Sequence, residues 1–266
     1  MRRAFLTGLA GVIMTLASSP AQANPEAAMD AALARYVSTD ASGLNRVDYA
    51  GWKTNRDDHD ILHLYLAALA AQRPSQLPRA ERFAYWVNLY NAVTLDVILE
   101  NYPVKSIRNI RTQAIAFTVG DFLGPWKAKL VKVEGVKLSL DDIEHRTLRP
   151  QFADPRVHYA VNCASVGCPN LRKSLWRAET LEADLDAAAS AFINSDRGVE
   201  VRDQGRAIRL SSIYQWFAKD FGDAKGLRAH LARYATGQRA AALKARARIA
   251  GYQYDWSLNG GGGAFK

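Results

Sequence analysis

The residues best suited to chemistry lie between His158 and Leu171, in the stretch HYAVNCASVGCPNL. It holds the chain's only two cysteines, Cys163 and Cys168, and closes on Gly167 and Pro169. The apolar, β-prone Tyr159, Ala160 and Val161 predict a strand over His158–Asn162 that delivers Cys163 into a loop. A thiol presented in this way serves as a nucleophile when an imidazole takes its proton and a third group orients the ring. If the loop opens a helical turn, its backbone N–H groups lower the thiol pKa. His145 and His158 both precede Cys163. In a straight strand, residues five apart face opposite sides, so His145 is the preferred base and His158 the second choice. Glu81, Asn88 and Asn91 are candidates for the orienting carboxylate or amide. The backbone N–H groups after Cys163 are expected to hold an oxyanion.

The same two cysteines support a second reading. In an exported protein, a lone pair at this spacing is a natural disulfide. Its loop is very short, so its contribution falls at the low end of the roughly 2–4 kcal/mol usual for such bonds. A Cys163–Cys168 bond silences Cys163 as a nucleophile, so the two readings exclude each other in the resting protein. Two cysteines alone make a poor structural zinc site, which wants four N/S ligands.

Several elements must position these groups. Glu81–Asn101 is the strongest helix: FAYWVNLYNAVTLDVIL is apolar nearly all round, which marks a buried helix. Asn88 and Asn91 are out of place in it. At about 100° per residue, Glu81 and Asn88 align two turns apart, with Tyr85 and Asn91 beside them. A buried amide must find hydrogen-bond partners. These residues either tie neighbouring loops to the helix or line a substrate pocket, and both readings stay open at this point. Asp57–Ala71 is also helical, with His59 and His63 four apart on one face. The sequence shows no further ligand beside them, so the pair is read as a polar face and no metal or cofactor is expected.

Pro25–Tyr36 predicts a helix, and Lys129–Leu138 a hairpin around Glu134-Gly135. Ser139 and Asp142 form a capping-box pattern opening a helix through DDIEHRTLR. Further helices are expected at Leu181–Asn194 and Ser212–Phe221. Gly198–Arg202 and Ala207–Leu210 flank a second hairpin, and Tyr252–Leu258 alternates as a terminal strand. Mixed helices and hairpins without a repeat or a linker predict an α+β fold, a single domain over 24–259 with a mixed or antiparallel sheet packed by helices.

The first 23 residues predict a signal peptide rather than structure. Arg2 and Arg3 precede an apolar run, and Ala21-Gln22-Ala23 is a cleavage signal. RRAFL also resembles the twin-arginine export pattern, so either that or the general secretory route leads to a periplasmic or secreted protein. The formal net charge is +9, two of which belong to Arg2 and Arg3. A basic stretch over Leu227–Ala250 adds Arg228, Arg233, Arg239, Lys244, Arg246 and Arg248. Such a run is usually a solvated face, and it also suits peripheral contact with an anionic membrane surface. No nucleic-acid module accompanies it, and export argues against that partner; an envelope substrate or partner protein is expected instead. Gly260–Lys266 is expected to be a tail.

Five segments, YWVNLYNAVTL, LSLDDIEHRTLR, DPRVHYAVNCASVGCPNL, LSSIYQWFAKDF and YDWSLN, together resemble the bacterial domain of unknown function 547. The likeness runs in order from Glu81 to Asn259. It implies kinship with papain-like or transglutaminase-like cysteine enzymes, with Cys163 as nucleophile and His145 or His158 as base. Those enzymes place histidine after cysteine, whereas here only His230 follows, so the resemblance implies a permuted papain-like order. The expected activity is thiol-dependent hydrolysis or acyl transfer at an amide or ester. The alternative is a non-catalytic envelope binding module with a Cys163–Cys168 disulfide.

Overall fold

Helix α4 (Arg79–Asn101) is the axis on which the chain assembles, and every residue from Phe83 to Leu95 is buried. The computed structural model describes residues 24–111 and 124–261. The expected signal peptide, a strand that the sequence predicts at Ala114–Val119 and the residues beyond Gly261 lie outside the described residues. Helix α1 (Pro25–Tyr36) has the predicted bounds, with Asn24 accepting the Glu26 N–H as its cap. It is followed by a short antiparallel pair, β1 (Val37–Thr39) and β2 (Asn45–Val47). Then come α2 (Tyr49–Thr54) and α3 (Arg56–Ala71). Met29, Trp52, Leu62 and Tyr65 from these helices join Val87, Leu89 and Ile98 of α4 in the larger core.

The hairpin β3 (Val131–Val133) and β4 (Val136–Leu138) turns at Glu134-Gly135, both with positive φ, as a tight two-residue turn requires. The capping box is reciprocal: Ser139 N–H donates to Asp142 Oδ2 at 2.8 Å, and Asp142 N–H donates to Ser139 Oγ at 3.2 Å. It opens a wide π-type turn over Asp142–Leu148 that runs into α5 (Arg149–Phe152). After α6 (Val157–Ala160) and α7 (Leu181–Ile193) come β5 (Val199–Arg202) and β6 (Ala207–Ser211), an antiparallel pair. Next are α8 (Ile213–Trp216), α9 (Ala224–Tyr234), α10 (Gly237–Lys244) and β7 (Arg248–Gln253), which pairs in parallel with β6. A second core forms where Phe192, Val199, Leu210, Tyr214 and Leu231 meet. The chain is thus α+β, with two small antiparallel sheets and one mixed sheet. No described helix is long and apolar enough to cross a membrane.

Two elements differ from expectation. The segment expected to be a strand at His158–Asn162 begins instead with the helical turn α6. Asp154 accepts the Arg156 N–H at 2.8 Å, and the Val157 N–H bonds Asp154 O at 3.1 Å. This Asx start nucleates a turn that outweighs the β-propensity of Tyr159 and Val161. The last strand begins four residues early, at Arg248, because pairing with β6 claims the end of the basic stretch. Its arginines are partly engaged: Arg228 donates to Ala247 O, and Arg239 to Val199 O.

Candidate active site around Cys163

Cys163 and Cys168 are free thiols standing side by side in the wall of a cleft of about 460 Å³. The loop that carries them folds back so that the Cys163 N–H donates to Cys168 Sγ at 3.0 Å. Tyr254, just beyond β7, places its hydroxyl 3.0 Å from both sulfurs. Ser165 Oγ completes the cluster, 3.3 Å from Cys163 Sγ and 2.8 Å from the Tyr254 hydroxyl. Gly167 lets the loop lie directly on the chain at Asp255, where a Cβ would meet Asp255 N at 2.8 Å. Ala164, immediately after Cys163, is held in the left-handed region at φ 57, a conformation that costs a non-glycine residue on the order of 1 kcal/mol.

The two sulfurs share one charge unequally. Burial works against a Cys168 thiolate, but hydrogen bonds from the Cys163 thiol, the Tyr254 hydroxyl and the Cys163 N–H outweigh it and lower its pKa. Cys163 moves the opposite way, raised first by its hydrogen bond to Cys168 and then by burial. Cys168 is therefore the anion acceptor, and half-buried Cys163 is the thiol that faces the cleft.

α6 supplies His158 to the cleft lining, almost wholly buried and stacked on Phe217 at 4.2 Å. Its Nε2 lies 2.7 Å from Asp220 Oδ2, while Nδ1 stands 3.9 Å from Glu144 Oε1. Burial alone would raise Asp220, but hydrogen bonds from His158 and from Arg149 hold it below the usual carboxylate range. The Arg149 contact is bidentate, at 2.6 and 3.0 Å. Burial lowers His158, which Asp220 only partly offsets. The ring is thus neutral near pH 7, with Nε2–H donated to Asp220 and Nδ1 left without a hydrogen-bond partner among the described residues. Glu144 sits beside it, pushed up to about 7 chiefly by burial.

His145 also lines the cleft, but its Nδ1 is 3.1 Å from Arg149 Nη1. A guanidinium can only donate, so this nitrogen is engaged as an acceptor and Nε2 carries the proton toward Asp141, 3.8 Å away. The geometry therefore favours His158 as the cleft's base. The argument that His158 and Cys163 face apart rested on a strand, and α6 removes it. Neither histidine is hydrogen-bonded to Cys163 among the described residues. His230 lies in the second core, its Nε2 2.8 Å from the Tyr159 hydroxyl.

The other sequence candidates are placed elsewhere. Glu81 is exposed at the start of α4 and lines a separate depression with Tyr85 and Asn88. Tyr85 donates to Leu69 O at 2.9 Å. Asn88 forms a two-way clamp with Trp176, donating to its carbonyl at 2.9 Å and accepting its N–H at 3.0 Å. Asn91 does the same for the cysteine loop, donating to Ala160 O at 3.0 Å and accepting the Asn162 N–H at 2.8 Å. Three of the amides after Cys163 are engaged: Ala164 N–H donates to Asn162 Oδ1, Val166 N–H to Ser257 O and Gly167 N–H to Asp255 O. The remaining positive group on the wall is Arg108, its guanidinium 5.2 Å from the Trp256 ring. Trp126, Trp216 and Trp256 make the lining apolar and aromatic, and Trp216 and Trp256 pack on Tyr254.

Sequence reasoning missed Asp220, Arg149, Glu144 and Tyr254. Asp220 and Tyr254 lie in segments noted above for their family likeness, but nothing in their spacing pairs them with His158 or Cys163. The expectation that His59 and His63 lack further ligands is also corrected. Asp96 and Glu100 of α4 face them, with one ligand atom from each residue all within 4.8 Å of one another.

Fold and cleft define an α+β protein in which two neighbouring thiols line one cleft with a carboxylate-held imidazole. Residues 74–193 match the family model DUF547, described as a protein of unknown function. The match contains the first three of the five segments noted in the sequence and ends before the last two. No curated protein and no solved structure matches the chain. The matched description carries no activity, so kinship with papain-like or transglutaminase-like enzymes belongs to the proposal below.

Proposed function

We propose that the cleft carries out thiol-dependent acyl transfer, as a hydrolase or acyltransferase acting on an amide or ester bond. One observation supports this above the others: the cleft-facing thiol of Cys163 and the Asp220-held ring of His158 line the same aromatic cleft. In this reading the Cys163 sulfur bonds to the substrate carbonyl carbon, and the thiol proton passes to His158 Nδ1. His158 then delivers that proton to the leaving nitrogen or oxygen as its bond to the carbonyl carbon breaks. Water, or an acceptor amine or alcohol, cleaves the resulting thioester and restores the thiol. Arg108 is the group on the wall suited to the developing oxyanion. Catalytic hydrogen bonds commonly tighten only when substrate binds, and closure would bring His158 to the sulfur. We place this activity in the periplasm or outside the cell, on the mature chain from Asn24, with an envelope component as substrate.

A second reading is favoured by the contact between the sulfurs: a Cys163–Cys168 disulfide shaping a binding module. The discriminating experiment counts thiols in native protein and follows iodoacetamide alkylation across pH, alongside turnover of ester and peptide substrates. Acyl transfer predicts turnover that is lost in Cys163→Ser and is blocked when the cleft-facing thiol of Cys163 is alkylated. No accessible thiol before reduction, or turnover that survives Cys163→Ser, overturns it.

A further inference from the structure

Away from the residues lining the cleft, α3 and α4 bring together two pairs of residues, each spaced one helical turn apart. His59 and His63 stand on α3, and Asp96 and Glu100 on α4. His63 Nε2 lies 2.9 Å from Asp96 Oδ1 and 3.8 Å from Glu100 Oε1, and His59 Nε2 is 3.4 Å from the same Glu100 oxygen. The two imidazoles lean together, with centroids 4.6 Å apart. We propose that these four side chains form a site for a divalent transition metal of the zinc class.

Three observations carry it. The first is spacing. Metal–ligand bonds of about 2.0–2.2 Å in a tetrahedron put neighbouring ligand atoms roughly 3.3 Å apart; the three His–carboxylate separations above bracket that value, and all the ligand atoms lie within 4.8 Å of one another. The second is charge and type. Two neutral imidazoles and two carboxylates supply four N/O ligands and two negative charges, which neutralise a dication. Imidazole nitrogen favours zinc, cobalt or nickel over magnesium or calcium. The third is an unsatisfied atom: His59 Nε2 is shielded from solvent and makes no hydrogen bond, although it points at this cluster. A simple pair of surface ion pairs would leave no such nitrogen, since a buried polar atom without a partner is costly. Lys53 donates to the backbone carbonyls of Glu100 and Tyr102 rather than to the Glu100 carboxylate. Burial raises the Asp96 pKa, an effect His63 only partly offsets, and a bound dication would reverse that. With all four positions filled by protein, the site is structural, a clamp between α3 and the buried axis α4.

The test uses the full mature chain, freed of any histidine tag and stripped with EDTA. Cobalt(II) is titrated first, followed by displacement with zinc(II), and thermal unfolding is recorded with and without zinc. The expected result is a single saturable equivalent with the visible bands of tetrahedral cobalt, lost on adding zinc, and a zinc-dependent rise in the unfolding midpoint. His63→Gln and Asp96→Asn should each weaken binding by about tenfold or more, and the His59→Gln/His63→Gln double variant should abolish it. All three side chains are at least partly solvent-exposed, and circular dichroism confirms that the variants fold. A Cys163→Ser/Cys168→Ser variant should bind as the parent does. Absence of saturable binding, binding that survives the double histidine variant, or binding lost with the cysteines overturns the site.

Discussion

The Tyr254 hydroxyl lies 3.0 Å from Cys163 Sγ and the same distance from Cys168 Sγ, so one phenol links both thiols. Tyr254 is partly buried here, and desolvation together with the two sulfurs raises its own pKa well above the ordinary value. It is therefore a neutral donor wherever a thiolate forms beside it. Removing it takes a donor from the shared charge. Tyr254→Phe should move the alkylation profile of the thiol pair, set by the Cys168 thiolate, to higher pH, by about 0.7 unit for the loss of about 1 kcal/mol of hydrogen bonding. Iodoacetamide rates measured across pH check this; an unmoved profile would show that the phenol does not stabilise the thiolate.

Asp220 joins His158 to Arg149, and its folded-state pKa is depressed. A depressed carboxylate contributes stability that is fully present above its unfolded value of about 3.9 and is lost as pH falls through the folded value. Asp220→Asn is expected to destabilise the protein by about 2–3 kcal/mol at neutral pH. The gap between variant and parent should close in strong acid. Urea unfolding at neutral and acid pH measures both, and a pH-independent gap would rule out the ion pair as its source.

Glu144 behaves in the opposite sense. Its folded-state pKa, pushed up to about 7 mainly by burial, lies above the unfolded value. The folded protein therefore binds the extra proton between those values, and stability falls as pH rises through that window. Glu144→Gln, which stays neutral, should stabilise the protein above pH 7 by up to roughly 3 kcal/mol and flatten the slope. Unfolding midpoints taken from acid to mildly alkaline pH decide it. A variant less stable than the parent at alkaline pH refutes the assignment.

Asn88 and Asn91 make matching clamps on different segments, which separates stability from reactivity. Asn91 holds the backbone at Ala160 and Asn162, next to Cys163, while Asn88 holds Trp176. Each change to alanine strands buried backbone groups and should cost about 2–4 kcal/mol. Only Asn91→Ala should also alter the thiol alkylation rate. Equal effects of both variants on alkylation would mean that the loop does not depend on the Asn91 clamp.

What the sequence determined by itself was local. The ends of α1, the turn at Glu134-Gly135, the Ser139/Asp142 capping box and the buried character of α4 all follow from residues within a few positions of one another. Side-chain caps, positive-φ turns and helical periodicity act over that range, so they can be read without a fold. The α+β class followed from the same signals. At Tyr159–Val161 local preference misled, because Asp154 starts a turn just upstream and its hydrogen bonds outweigh β-propensity.

Tertiary structure alone decided the site. The sequence marked Cys163, His145 and His158, but the partners that set their chemistry arrive from far along the chain. Asp220 reaches His158 across 62 positions and Tyr254 reaches Cys163 across 91. Asp96 and Glu100 meet His59 and His63 only because α3 packs on α4. Hydrogen bonds and ion pairs act over a few ångströms of space, and distance along the sequence carries no record of which distant residues packing will bring that close.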